Sequence, residues 1–268
     1  MKPLLSIIIV NFNTKDLLKK CLESIKLSFN YEIIVVDNDS TDGSVQAINS
    51  LKFKNLKIIV NKNNLGFAKA VNQGIKIARG EKILLLNSDI VAKPDSINKL
   101  FEFAENHPQI GIVGGCLLNP DGSIQGSCFH LPTLLKVMKE FWFKGPSVLS
   151  KYAPLGDKPV EVEAVVGAVF LIPKKIVEKI GLLDERYFMY FEDLDFCRRV
   201  KKGGYKIYHL PSAEIIHEHG VSGKLIVETE NQWRRLIPSS KTYHGFVKHY
   251  IISFILWTGQ KFLKKKEH

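Results

Sequence analysis

A chain of 268 residues, 45% hydrophobic and 24% charged, has an ordinary globular composition and is long enough to bury a proper core. Its four cysteines, Cys21, Cys116, Cys128 and Cys197, are scattered with no CxxC pair, which argues against a zinc site or a disulfide framework and fits reduced thiols in the cytosol. A net charge of +11 leaves nucleic acid, an anionic membrane and phosphorylated substrates as partner classes to separate.

The chain opens with "MKPLLSIIIVNFN". This apolar run is too short for a leader and lacks a small-residue cleavage site, so it reads as a buried strand over 4–10. "YEIIVVD" (31–37), "LKIIV" (56–60) and "KILLLN" (82–87) are also short, apolar and bounded by polar breaks, as strands buried on both faces of a parallel sheet are. Between them, Leu17, Leu18, Cys21, Leu22 and Ile25 have helical spacing within 15–28, with Thr14 as N-cap. Phe67, Ala70, Val71, Gly74, Ile75 and Ala78 share a face within 66–79, a helix that Gly80 can end. The order βαβαβαβ predicts a doubly wound, mostly parallel α/β sheet. A further helix covers 95–106.

Residues 119–160 are rich in Gly, Pro and Ser, with a turn at "NPDGS". Regularity returns at "EVEAVVGAVFLIP", after which Pro173 takes the first position of a short helix. No stretch reaches the ~18 apolar residues of a membrane span. Two readings of the C-terminal "FVKHYIISFILWTGQKFLKKKEH" stay open: a core helix with a solvated basic end, or an interfacial helix with lysines on anionic headgroups.

Ligands of open α/β sheets bind beyond the carboxyl ends of the strands. Polar residues recur there: "VNFN", "VDNDSTDGS", "NKNNLG" and "NSD" follow the four strands in turn. Each could be turn chemistry alone; all four at one edge favour a cleft. GxGxxG is absent after the first strand and GxxxxGK[ST] is absent throughout, so a phosphate must be held by other means. A divalent ion bridging a diphosphate is the obvious one. Mg2+ or Mn2+ needs only one or two carboxylates from the protein, and Asp89 suits that role.

"SIIIVNFN", "IIVVDNDSTDGS", "NLGFAKAVNQGI", "LLLNSD" and "ERYFMYFEDLDFCRR", in this order over residues 5–222, resemble family 2 glycosyltransferases of GT-A fold. "FMYFEDLDFCRR…IIHEHGVS" is most similar to their rhamnosyltransferase-like branch. The resemblance implies a Rossmann-like GT-A domain over 1–222, its 1–95 half binding a nucleotide-sugar and its 96–222 half an acceptor, followed by a helical basic tail over 223–268. It implies that Asn11 and Asp37 contact the nucleoside, with Asp37 accepting from a pyrimidine imide and Asn38 beside it. Asn64, Gly66 and Phe67 would line the base and ribose. "NSD" stands where the family has DxD; Asn87 replaces the first acid, so Asn87 and Ser88 join the donor set and Asp89 is left as the main metal ligand. His217 would be a second metal ligand or phosphate donor, with Gly220 and Ser222 completing H-x-x-G-x-S and His219 a weaker candidate.

The general base for an inverting displacement should come from "FEDLD". In a helix starting here, Asp195 has Arg198 and Arg199 at neighbour spacing and reads as a salt bridge. Asp193 shares the inward face with Cys197 and Val200 and is the better base, as the family's "ED" also implies. Glu192 then binds or orients the acceptor. Gly167 and Trp142 are acceptor-side candidates: a glycine permitting close approach and an aromatic platform. The expected partners are a nucleotide-sugar and a saccharide or lipid-linked acceptor, in the cytoplasm or peripherally on the inner membrane surface through the tail. Nucleic acid is disfavoured because the basic residues are dispersed. A catalytically idle sugar-binding scaffold is the main alternative.

Overall fold

The computed structural model describes residues 2–51, 53–218 and 233–264. Its first half runs β1 (Leu5–Asn11), α1 (Lys15–Ser24), β2 (Tyr31–Asp37), α2 (Ser44–Ser50), β3 (Leu56–Val60), α3 (Phe67–Ile77), β4 (Lys82–Asn87), β5 (Ile90–Ala92) and α4 (Ser96–Asn106). Then come β6 (Ile110–Leu118), β7 (Ile124–Gln125), β8 (Cys128–Phe129), α5 (Leu134–Phe143), β9 (Val160–Glu161), β10 (Ala164–Val165), β11 (Val169–Pro173), α6 (Lys174–Ile180), α7 (Glu192–Lys202) and β12 (Lys206–His217). Two further helices, α8 (Trp233–His244) and α9 (Phe246–Lys264), follow.

The main sheet is ordered β3-β2-β1-β4-β11-β6-β12-β5. The strands β3, β2, β1 and β4 are parallel, so their carboxyl ends align: Asn11 pairs with Asp37, Asp37 with Val60, and Val10 with Asn87. The antiparallel β11 then joins this half to β6 and β12. On the far edge β5 pairs with β12, and Ile90 faces His217. Alternation along each strand feeds two cores. Ile7, Ile9, Ile33, Val35, Leu84 and Leu86 pack on one face with α1 and α4. Ile8, Ile34, Val36, Ile83 and Leu85 pack on the other with α3 and α7. Each such side chain contributes roughly 1.5–3 kcal/mol on burial, and polar residues at the strand ends do not, so the strand tips are free for other chemistry.

The expected mostly parallel α/β sheet is present, with local differences. Thr14 stands at the N-cap of α1, but its hydroxyl makes no capping bond; it donates to Asn11 Oδ1 or Ser88 Oγ, both within 2.7 Å. Helix α3 ends at Ile77 with Ala78 as its C-cap, short of Gly80. Gly80 instead lets the chain pass β1, where a Cβ would sit 2.4 Å from the Ser6 nitrogen. Pro173 closes β11 and caps α6 from one position outside it. The regular segment "EVEAVVGAVFLIP" is divided between β9, β10 and β11, with Gly167 in the turn between the last two. The loosely patterned 119–160 region contains α5, whose Thr133 hydroxyl accepts from the Lys136 N–H.

Candidate active site

At the aligned strand ends, polar side chains bond one another. Asn11 Nδ2 donates to Asp37 Oδ2 at 2.7 Å and to Ser40 Oγ at 3.0 Å, and Ser40 N–H donates to Asp37 Oδ1. Asn61 Nδ2 donates to Asn38 Oδ1 and exchanges bonds with Gln73, while Asn38 Nδ2 reaches Gly66 O at 3.2 Å. Gly66 has φ +84°, and a Cβ there would come 2.5 Å from Phe188 O. The next residue, Phe67, donates its N–H to that same oxygen. The loop before α3 is thereby tied to the segment leading into α7.

Helix α7 opens with Glu192 and Asp193. The preceding Tyr190 and Phe191 both sit at φ 70°, a strained conformation for bulky side chains that clusters at functional sites. Asp193 is clamped at both oxygens: Gly167 N–H donates to Oδ2 at 3.0 Å and Leu194 N–H to Oδ1 at 2.8 Å. Gly167 therefore makes its close approach to Asp193, where an added Cβ would lie 3.3 Å from the Asp193 Cβ. Glu192 is buried, and its Oε2 has no hydrogen-bond partner among the described residues. Burial, then the charge of Asp193, pushes Glu192 up to about 8. Burial also raises Asp193, against the Gly167 and Leu194 N–H groups and the Lys151 charge that favour its carboxylate. Burial thus raises both carboxyls, and backbone N–H groups and a nearby cation oppose the rise at Asp193. Asp195 is paired with Arg198 and Arg199 at 2.7 and 2.8 Å, as its spacing indicated.

Across the strand ends, Asp89 Oδ1 lies 3.4 Å from His217 Nε2, both side chains buried. Gln125 orients the imidazole. Its Nε2 donates to Asn119 Oδ1 and His217 O, so its Oε1 is the acceptor that meets His217 Nδ1 at 2.7 Å. Nδ1 then donates to Gln125, and Nε2 faces Asp89 and Asn87. A carboxylate oxygen and an imidazole nitrogen at this separation are near the ~3 Å spacing of neighbouring ligands on a small octahedral cation, and the hydrogen-bonded second nitrogen is the usual support of a metal-bound histidine. No group of three or more metal-binding side chains occurs among the described residues, so the remaining ligands would have to be phosphate oxygens and water.

A cavity of about 860 Å3 connects these places. Asn38, Asn64, Gly66, Phe67, Asn87, Ser88, Asp89, Gly167, Glu192, Asp193 and His217 all line it. Asn11 and Asp37 do not: each is at most 1% exposed, and Asp37 is occupied by Asn11 and Ser40. Trp142 is also off the cavity, its indole N–H donating to Thr258 Oγ1 on α9 at 2.9 Å. His219, Gly220 and Ser222 lie outside the described residues. Sequence reasoning missed Gln125, Ser40, Lys151 and the far wall, which Leu236, Ile237 and Ser240 of α8 and His249 and Leu256 of α9 supply. The segment expected as an appended tail thus forms part of the cavity.

Residues 6–145 match the model for Glycosyl transferase family 2, and residues 82–259 that for Glycosyl transferase family group 2. The chain belongs to glycosyl transferase family 2. Among its family 2 relatives is the N-acetylglucosaminyl-diphospho-decaprenol L-rhamnosyltransferase of Mycobacterium tuberculosis, 30% identical over 236 residues, covering 81% of this chain and 76% of that protein. The mannosyltransferase PcManGT from Pyrobaculum calidifontis, solved with GDP-Man and Mn2+, aligns with TM-score 0.64 at 15% identity, over 97% of this chain and 74% of that one. GalNAc-T7, solved with UDP, GalNAc and Mn2+, aligns with TM-score 0.62 at 16% identity, over 81% and 43%. These two likenesses establish the GT-A fold of this family 2 chain.

Proposed function

We propose that this family 2 glycosyltransferase is inverting and metal-dependent. It moves a sugar from a UDP- or dTDP-linked donor to a hydroxyl of a saccharide or lipid-linked acceptor, in cell-surface polysaccharide synthesis on the cytoplasmic side of the membrane. The likeness to the mycobacterial rhamnosyltransferase favours dTDP-rhamnose as donor and a lipid-linked diphosphosugar as acceptor. The observation that carries the reading is Asp193, a carboxylate gripped by two backbone N–H groups on a cavity that also presents Asn87, Ser88 and Asp89.

In this reading Asp193 Oδ takes the proton of the acceptor hydroxyl as that oxygen attacks the anomeric carbon. The bond from that carbon to the diphosphate oxygen breaks on the opposite face, and the nucleoside diphosphate leaves with the electron pair. The clamp holds the carboxylate's orientation, so the base need not be found anew in each cycle. Glu192, protonated at neutral pH, donates to the acceptor and orients it. Asn38, Asn64, Gly66 and Phe67 hold the nucleoside side of the donor, and Asn87 and Ser88 face its diphosphate. Asn11 and Asp37 act on the nucleoside from behind the wall, by fixing the loop that carries Asn38. Asp89 and His217 would hold a Mg2+ or Mn2+ ion, which supplies charge stabilisation to the departing diphosphate when bound.

The experiment is a thermal-shift screen of nucleoside diphosphates and nucleotide-sugars, with and without Mn2+, followed by transfer assays with the ligands that bind. A melting temperature raised by a UDP or dTDP compound only when Mn2+ is present supports the reading. Binding without transfer to any acceptor favours the idle scaffold, and no binding overturns both.

A further inference from the structure

Helix α9 is apolar on two opposite faces, and only one of them is covered. Ile252 and Ile255 are buried against Val137 of α5, and Gly259 lets the helix lie against Phe141, where a Cβ would sit 2.7 Å from its Cβ. On the other side Phe246, Val247, Tyr250, Ile251, Phe254 and Trp257 are 42–69% exposed. Their spacing puts them on one stripe. A helix that is hydrophobic all round is normally buried all round, and an exposed apolar stripe of this size marks an interaction surface.

Its partner can be named from the charge around it. From Asn231 to Lys266 the sequence holds eight Lys or Arg and no Asp or Glu. Lys261 lies on the stripe, its Nζ 4.3 Å from the Trp257 ring centroid, and Lys241 Nζ lies 5.2 Å from that of Tyr250. Lysines beside aromatic rings at the border of an apolar face suit a headgroup layer, where rings enter the acyl boundary and ammonium groups stay with phosphates. A second copy of this chain would bring like charges together. No helix among the described residues is long and apolar enough to cross a membrane, so the contact would be interfacial. The exposed Trp142 and Phe143 extend the apolar surface onto α5, and the Trp142–Thr258 bond fastens the two helices together.

We infer that α5 and α9 form a preformed docking face for the surface of an anionic phospholipid bilayer. Because α8 and α9 also wall the cavity, docking sets the mouth of the proposed acceptor site at the membrane. That consequence rests on the proposed function; the docking itself does not.

The test is flotation of the full chain with vesicles of phosphatidylcholine, alone or with roughly one third phosphatidylglycerol, needing no donor, acceptor or metal. The protein is expected to float with the anionic vesicles and much less with neutral ones or in ~0.5 M salt. The double variant Phe254→Glu, Trp257→Glu should lose binding at least about tenfold, while circular dichroism and nucleotide-induced thermal shift stay unchanged, since neither residue lines the cavity. A wild-type protein that stays unbound overturns the inference, as does self-association in sedimentation that the double variant abolishes without vesicle binding. Flotation with no transferase activity would sink the proposed function and leave the docking face standing.

Discussion

The two walls of the cavity are built from different parts of the fold. On the proposed donor side, Asn38 bonds Asn61 and Asn64 beyond the ends of parallel strands, and Asn61 bonds Gln73 of α3, so the polar groups are held before any ligand arrives. On the far side, α8 and α9 supply Leu236, Ile237 and Leu256 interleaved with Ser240, His244, His249 and Ser253, a mixed surface carried on helices rather than on strand ends. The Glu192–Asp193 pair sits between. Asp193 receives N–H groups from its surroundings and Glu192 Oε2 receives none. Burial raises both carboxyls, and only that of Asp193 has neighbouring backbone N–H groups to oppose the rise.

Breaking the seam should have the largest effect. Asp193→Asn keeps the shape and removes the base, so turnover should fall ~10²–10⁴-fold with nucleotide-sugar affinity nearly intact. Steady-state kinetics beside calorimetry separate the two, and near-normal turnover would remove Asp193 from the mechanism. The donor wall is tested next by Asp89→Ala, which should weaken Mn2+-dependent nucleotide binding by at least about tenfold, ~1.4 kcal/mol. Unchanged affinity in calorimetry would mean that the diphosphate is held elsewhere.

The link between the walls gives a smaller, structural effect. Gly66→Ala places a Cβ against Phe188 O at a positive φ and strains the Phe67 N–H bond to that oxygen. The expected cost is about 1–3 kcal/mol, read as a lower melting temperature together with weaker nucleotide binding. A variant that loses stability and keeps its affinity would show that the link serves folding alone.

The donor wall was far more legible in sequence than the seam or the far wall. The strands over 31–37, 56–60 and 82–87 have the bounds their apolar runs indicated; the first and last are buried on both faces as expected, while 56–60 is the edge strand and only partly buried. Helical phase also separated Asp193 from the ion-paired Asp195. What could not be read depends on distant pairings. Gln125 meets His217 across 92 positions from the two-residue strand β7, too short to show a period, and Gly167 meets Asp193 only because β10, just before it, packs beside α7. Helix α5 hid in a Gly-, Pro- and Ser-rich stretch. The C-terminal helices looked like a tail because nothing local says that their inner face would close a cavity.

The smallest expected effect sharpens the account of Glu192. Its pKa is about 8 in the folded protein against an ordinary 4.5, so the native state keeps a proton that the unfolded chain releases. The stability this gives is complete below about pH 4.5 and is lost as the pH rises to about 8. Glu192→Gln imitates the protonated form and is spared that loss. Its melting temperature should match wild type near pH 4 and exceed it near pH 9, by ~2–4 °C for each kcal/mol recovered. The alkaline limb of the turnover profile, which belongs to the coupled pair, should move up or vanish in the same variant. Equal melting temperatures at both pH values would mean that Glu192 ionises freely, and then its burial does not set the protonation of the proposed acceptor-orienting group.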